Sequence, residues 1–483
     1  MNIVDPILFQ CTLQPKAAAL CSPGTGIGLV SYGRLAEMIQ AVCGHLTRVG
    51  LRRGRVAAVS IKDPIFLTVV TLALARLGVV TVSRYDERVL DTIRVDALIA
   101  DKPPGRARID QIILVDLSWT KVSEGLPARR DVGPTAADDL CRIILTSGTT
   151  GDPKGVAFTH RRVAERTATN DYVFGSRFPH LARIYCDLPE SSAPGFWFLI
   201  HTLWRGGTFF FPGETFEVTA EAFEEHGVEC VVASPGGLEL LLRKYEQYPA
   251  LQGELDTMIV LGDVLSPSLS ERVRARICSH IISDYGSTEA QTTATSPVQL
   301  IHDTPGAVGY VVPNVTVEIV TDTDQALPPG VEGIVRINSP FVAKGYMGDA
   351  EASAKAFRDG WFYPGDRGIL DPEGLLRIVG RHDSLLNLGG DKVNPETVER
   401  VLASCTGVAE CAAFSAPDEL GVETLWAAVV ADAATDDGKL KAHCQANLPA
   451  QSVPVGFVRV ARLPRNPAGK IDRRSLPNLL THK

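Results

Sequence analysis

The sequence has ten cysteines but no CxxC pair and no cysteine–histidine cluster at zinc spacing. Thiols scattered in this way predict reduced, mostly buried side chains in a cytoplasmic protein. The opening stretch MNIVDPILFQ lacks a basic segment followed by an apolar one, so no secretory signal is expected. Long hydrophobic runs are missing as well. The longest, Ile65 to Ala75, is eleven residues and stops at Arg76, too short to span a bilayer, and no stable membrane insertion is expected. There is no excess of positive charge: the formal net charge is −8, which disfavours nucleic acid or an acidic membrane as the main partner. No tandem repeat with a period of about 20 to 50 residues is present. The rest is ordinary. With 45% hydrophobic and 22% charged residues, the chain reads as a globular protein with real cores. Its 483 residues exceed one domain of roughly 150 residues, so two to four are expected.

The first 130 residues alternate helical and strand patterns. SYGRLAEMIQAVCGHLTRVG (31–50) has apolar residues at helical spacing and a terminal glycine, RVAAVSI reads as a strand, IFLTVVTLALARLG as a buried helix, and VVTVS as a strand. The alternation resumes at 181–283, where IYCDL, GTFFF, VECVVAS, TMIVLG and HIISDYG are strands separated by helices. Such an order predicts parallel sheets with helices on their faces. After about residue 305 the chain changes to short alternating strands between Pro/Gly turns (VGYVVP, VTVEIVT, GIVRIN), the pattern of a small β-barrel. The boundary of the last unit is placed near Arg381 to Leu388. The fold class is therefore α/β: a large N-terminal domain (1–381) of two αβ sheet subdomains plus a small β-barrel, followed by a small, mobile α+β C-terminal domain (382–483).

The stretch LTSGTTGDPKG (145–155) is built to hold an anion, yet it fails the GxxxxGK[ST] pattern because Pro153 stands five places after Gly148. Its flanks, CRIILT and GVAFTH, both read as strands, so it is a hairpin without a helix N-terminus. The grip would come from backbone amides at Gly148 and Gly151, the hydroxyls of Thr146, Ser147, Thr149 and Thr150, and Lys154, which together suit a polyphosphate. The same residues are turn formers, and on composition alone a solvated turn accounts for them equally.

The order of residues decides. TSGTTGDPKG resembles the phosphate-loop motif of the adenylate-forming superfamily, which comprises acyl- and aryl-CoA synthetases, peptide-synthetase adenylation domains and luciferases. Four further stretches are similar to that family's motifs, in the family's order and over nearly the whole chain. SDYGSTEA (283–290) resembles YGxTE. The resemblance implies that Tyr285 stacks on adenine with Asp284, Gly286 and Gly262 nearby, that Thr288 touches the α-phosphate, and that Glu289 binds Mg²⁺. FRDGWFYPGDRG (357–368) resembles the motif whose aspartate, here Asp366, holds the ribose hydroxyls. GRHDSLLNLGGDKVNPETVE (380–399) resembles the hinge motif, with Arg381 contacting ribose, Asp383 as the pivot of the small domain, and Gly389 and Gly390 lining a pantetheine tunnel. LPRNPAGKIDRR (463–474) resembles the C-terminal motif, in which Lys470 bridges the carboxylate and the α-phosphate.

The resemblance implies ATP, Mg²⁺ and coenzyme A as cosubstrates and cofactors. It implies an acid–thiol ligase that forms an acyl-adenylate and then a thioester. A free-standing adenylation domain that loads a carrier-protein phosphopantetheine is the alternative, and a nucleotide-binding protein without catalysis is a third. Two departures stand out. Asn387 occupies the place where many members have lysine. Ser192 stands where many acyl-CoA synthetases have histidine, and Ser191 to Ala193 offer no carboxylate for an amino-acid ammonium. The expected acyl-pocket walls are Ser192, Ala193, Phe196, Trp197, Ser234 to Gly236, and Gly262 to Val264. They are mostly small or aromatic, which favours a modest apolar or aromatic acid over a dicarboxylate.

Overall fold

The apolar run after Lys62 forms the helix Pro64–Arg76. It is started by the Asp63 carboxylate, which accepts the Phe66 amide at 2.8 Å, and by a proline in the first turn. It is apolar on nearly every side, so it must lie inside rather than on a surface. That is where it sits in the computed structural model. The model describes all residues except 106–107, 122–134, 147–152, 176–181, 248–254, 264, 383–385, 389–390, 419–421, 466–470 and 483, with backbone only at 175, 246–247, 387, 391–392 and 481–482.

Two sheets enclose this helix. In the first, Ile112–Leu114, Ala97–Ala100, Val56–Ser60, Val80–Val82 and Leu140–Thr146 run parallel, and Lys154–Thr159 closes the edge as an antiparallel hairpin. In the second, Ala18–Cys21, Thr208–Phe210, Arg183–Cys186, Cys230–Ala233, Thr257–Leu261 and Ile281–Ser287 are parallel neighbours. One apolar core holds residues of both sheets (Ala57, Ile99 and Ile144; Ile184, Val232 and Ile282) together with the helices Tyr32–Arg48, Pro64–Arg76 and Ala193–Arg205. The strands were expected to alternate with helices into parallel sheets, and they do.

The antiparallel strands after residue 305 build a core of their own around Val317, Val335, Ile337 and Leu376. Their ladder does not close on itself as a detached barrel. It continues the second sheet through Gln291–Pro297, which pairs antiparallel with Ile281–Ser287 on one side and with Ala307–Val311 on the other. The physical reason is an edge: once the chain turns back at residues 288–290, a fresh row of backbone donors and acceptors is available for the next strand. The C-terminal unit has two cores of its own: one face of the ladder Val408–Pro417, Glu423–Ala431, Gly456–Arg459 packs on the helices Pro395–Ala403 and Asp437–Asn447, and the other, through Ala412, Phe414 and Val458, on Leu463 and Leu476. All ten cysteines are unpaired, and nine of them are buried. No helix among the described residues is long and apolar enough to cross a membrane.

The chain's start is fastened to the phosphate-loop hairpin. The Ile3 amide donates to Nδ1 of the fully buried His160 at 3.2 Å, and burial lowers the pKa of that imidazole from 6.5 to about 4. Only the neutral ring can accept this bond. The folded pKa lies below the unfolded one, so the contribution to stability is fully present above pH 6.5 and is lost as pH falls through about 4. The melting temperature of the wild type should therefore fall more steeply between pH 6.5 and pH 4 than that of His160→Gln. Parallel curves from scanning calorimetry would refute this role.

Candidate active site

The parallel strands of the second sheet all end at one edge, the place where open sheets of this kind bind ligands. Ser234 follows Cys230–Ala233, Gly262 follows Thr257–Leu261, and Ile281–Ser287 carries Asp284 to Gly286 within its own C-terminal half. Ile281 and Ile282 are buried, whereas Ser283 to Ser287 are partly open and Gly286 is exposed, so the strand emerges into a cleft. Gly262 has φ +95, and a Cβ there would meet no atom within 4 Å, which leaves open floor beside the strand.

The expected acyl-pocket residues divide by position. Ser192 caps Ala193–Arg205, accepting the Gly195 amide at 3.2 Å and donating to the Pro189 carbonyl at 2.7 Å. Ser234 caps Pro235–Gln247 by accepting the Gly237 amide at 3.2 Å. Ala193, Phe196 and Trp197 are buried. The Phe196 ring lies under the Arg142 guanidinium at 4.2 Å, and Trp197 meets Phe158 edge-on at 4.9 Å.

The family motifs converge tightly. The Tyr285 hydroxyl donates to Asp366 Oδ2 at 2.5 Å, and Arg381 Nη1 donates to Asp366 Oδ1 at 3.0 Å and to the Pro364 carbonyl at 2.7 Å. Asp366 and Arg381 face each other in the antiparallel register, which fixes the pair before any side chain moves. Burial, reinforced by the Asp366 charge, pushes the Tyr285 phenol well above its usual range, so it stays a donor. On the other flank, Glu289 is 8% exposed and accepts the Tyr346 hydroxyl at 2.9 Å on Oε1. The Lys154 ammonium lies 5.1 Å from the centre of the Tyr346 ring, and Thr146 donates to the Lys154 carbonyl at 3.3 Å. The segment from Phe341 to Met347 is strapped over this point: the Ala343 amide donates to the Glu289 carbonyl and the Met347 amide to the Gly155 carbonyl, each at 2.8 Å.

Asp284 points away from this group. Its Oδ2 accepts the Thr292 hydroxyl at 3.3 Å, and Thr292 Oγ1 in turn accepts Arg166 Nη2 at 2.7 Å. Burial raises the Asp284 carboxyl to about 6 against the pull of Arg166, and burial lowers Arg166 to about 10.

The C-terminal unit lies over the same edge. Arg473 holds Glu399 through two contacts of 2.6 and 2.9 Å, and Asp263, one residue beyond Gly262, adds to the charges felt by both. Arg465 bridges antiparallel to Ile471, and a Cβ on Gly236 would sit 3.0 Å from the Arg465 guanidinium. The Arg465–Ile471 bridge is therefore rooted at the rim of the cleft. Lys470 itself, Ser147, Gly148, Thr149, Thr150, Gly151, Val264, Asp383, Gly389 and Gly390 lie outside the described residues. Thr288 is partly open at the turn between Tyr285 and Glu289.

No group of three acidic, histidine or cysteine side chains gathers into a metal cage among the described residues. A single, oriented carboxylate such as Glu289 instead fits a hard cation that keeps several waters and is otherwise held by phosphates. Three kinds of residue escaped sequence reading: Tyr346, which serves both Lys154 and Glu289, the Arg166–Thr292 pair, and Asn170. A usable signal existed for the last group, since Arg166 and Asn170 are polar residues at i, i+4 on the face that also carries Val163.

Residues 9–347 match the AMP-binding enzyme family and residues 397–470 the AMP-binding enzyme C-terminal domain. The chain is 30% identical to 4-chlorobenzoate–CoA ligase of Arthrobacter sp, covering 98% of this chain and 94% of that protein. It is 28% identical to feruloyl-CoA synthase of Amycolatopsis sp, covering 96% of each. Its fold matches, with a TM-score of 0.82, that of O-succinylbenzoate coenzyme A synthetase from Bacillus subtilis solved with ATP and magnesium. The two are 24% identical over 98% of this chain and 99% of that one.

Gly286 is the tightest point of the site: a Cβ there would lie 2.1 Å from the Gln291 carbonyl oxygen and 2.8 Å from its carbon. Both obstacles are backbone, so the hairpin itself must move. Gly286→Ala is expected to lower the melting temperature by several degrees, consistent with a cost of about 2–4 kcal/mol. An unchanged melting curve would show that the hairpin is not so constrained.

Proposed function

The chain belongs to the AMP-binding enzyme family, and we infer that it is an AMP-forming acid–CoA ligase: it activates a carboxylic acid with ATP to an acyl-adenylate and pyrophosphate, then passes the acyl group to the thiol of coenzyme A. The observation that carries this reading is that Lys154 and Glu289 meet across Tyr346 while Tyr285, Asp366 and Arg381 join beside them, with the Arg381 charge felt at Tyr346: cations and carboxylates set around aromatic rings.

A carboxylate acylates poorly because its leaving group would be oxide, and adenylation replaces oxide with AMP. A carboxylate oxygen of the acid bonds to the α-phosphorus while the bond from that phosphorus to the oxygen of the β-phosphate breaks. Catalysis of such a transfer is mainly positioning and charge neutralisation. In this assignment Tyr285 presents its ring to adenine, and Asp366 accepts the two ribose hydroxyls while Arg381 holds it in place. Lys154 and the hairpin 146–155 take the charge that develops on pyrophosphate. Glu289 would hold Mg²⁺, which when bound supplies further positive charge to the phosphate oxygens. Lys470 lowers the repulsion between the approaching carboxylate and the α-phosphate. In the second step the thiol adds to the acyl carbon and AMP leaves. Asp383 as hinge and Gly389 and Gly390 as tunnel lining serve that step. Unpaired, buried thiols support a reducing, cytoplasmic setting. A carrier-borne phosphopantetheine presents the same thiol, and comparing it with free coenzyme A as acceptor separates the two.

Lys470→Ala should abolish pyrophosphate release yet still convert supplied acyl-adenylate into thioester, and equal loss in both assays would sink the assignment. Tyr346→Phe keeps the ring beneath Lys154 but removes the hydroxyl that orients Glu289. The Mg²⁺ concentration giving half-maximal pyrophosphate release should rise about tenfold, as for partners that orient a metal ligand. A change only in the maximal rate would place Tyr346 elsewhere in the mechanism.

A further inference from the structure

Behind the open edge at Ser283–Ser287 lies a set of buried polar side chains whose hydrogen-bonding capacity is not used. Arg166 and Asn170 project from one face of the helix His160–Asn170 with 5% and 1% exposure. Arg166 reaches Thr292, and Thr292 reaches Asp284, the residue immediately before Tyr285. Among the described residues, Arg166 Nε, Asn170 Nδ2 and Oδ1, and Asp284 Oδ1 have no partner. Neither have both amide atoms of Gln291, which is 3% exposed and pairs with Ser287 in the ladder. Buried polar atoms in folded proteins are nearly always paired, so a run of orphans beside a binding cleft marks groups kept for a ligand.

The set also says what that ligand group is. Arg166 and Asp284 bring opposite charges that offset one another, so a second carboxylate would meet Asp284 and an ammonium would meet Arg166. The unused atoms are both donors (Arg166 Nε, Asn170 Nδ2) and acceptors (Asp284 Oδ1, Asn170 Oδ1). A hydroxyl is neutral and does both. We propose that the acid activated by this enzyme carries a hydroxyl group away from its carboxylate, and that Arg166, Asn170, Asp284 and Thr292 read it. This rests on the acid-activating reading above and names its substrate class. Sequence reading pointed to a modest apolar or aromatic acid rather than a dicarboxylate, and this places a neutral polar group on it. A site built to bond a hydroxyl discriminates strongly against the analogue that lacks it, because the protein's own groups are then buried unpaired.

Two readouts on the full-length chain test this separately from the activity. The first is calorimetric binding of each acid without ATP, and the second is pyrophosphate release with ATP and Mg²⁺. The panel is benzoate, 3- and 4-hydroxybenzoate, terephthalate and 4-(aminomethyl)benzoate, with hexanoate, 6-hydroxyhexanoate and adipate as the aliphatic counterpart. In at least one series the hydroxylated acid should bind at least about tenfold more tightly than its parent and its charged analogues. Asn170→Leu should shrink that ratio towards one, with binding of the hydroxylated acid weakened and that of the parent not weakened. If Asn170→Leu does not fold, Thr292→Val makes the same test. Preferred binding of a hydroxy acid without pyrophosphate release would uphold the inference and overturn the acid-activating function. Pyrophosphate release that favours the parent, the diacid or the amine would overturn the inference and uphold the function. Failure of every hydroxylated acid to bind would overturn it too.

Discussion

The bond from the Tyr285 hydroxyl to Asp366 joins the last parallel strand to the antiparallel sheet, 81 residues further along the chain, and the site depends on that junction. Tyr285 belongs to the edge where the parallel strands end, while Asp366 belongs to a strand whose partner, Leu375–Arg381, leads directly into the C-terminal unit. An aromatic ring, a carboxylate and a guanidinium are thereby fixed in order from the cleft floor towards the C-terminal unit. The charges do not need a metal or ligand to hold them together. Asp366 already accepts from both neighbours, and burial keeps the phenol protonated so that it continues to donate.

On the opposite flank the same economy holds. Lys154 and Glu289 are not in contact as an ion pair. Tyr346 stands between them, giving its ring to the cation and its hydroxyl to the carboxylate. Direct pairing would have neutralised both groups before phosphate arrived. With the phenol as spacer, each keeps its charge available towards the cleft, which is what a site for a polyphosphate and its counter-cation requires.

Much of this was legible in the sequence, for physical reasons that differ by element. The alternating strands and helices follow from periodicity, and the hairpin around 146–155 from its two strand-like flanks. Tyr285, Glu289, Asp366 and Arg381 were found through the order of motifs; composition would have left each as an ordinary turn or surface residue. Tyr346 was not found, because a tyrosine in a Gly-containing loop has no periodicity to betray it, and its role arises only when Glu289 and Lys154 fold against it. The continuous ladder was not legible either. Short strands between Pro/Gly turns look the same whether they close into a barrel or extend a neighbouring sheet, and only the reversal at residues 288–290 decides. Ser192 was noted as a departure from histidine, but its task as a helix cap needed coordinates.

The alternation of side chains along a strand explains how one short segment can serve two ligands. Neighbouring residues point to opposite faces, so Tyr285 turns towards Asp366 and the nucleotide side while Asp284 turns towards Thr292 and Arg166. In the proposed function these are the ATP side and the acyl side, separated by one residue of strand. The register shift that follows Tyr285 and the closed space at Gly286 lock that division, because slippage by a single residue would exchange the two faces. In that reading acid specificity can change through Arg166 or Asn170 without disturbing Tyr285, Asp366 and Arg381 on the other face.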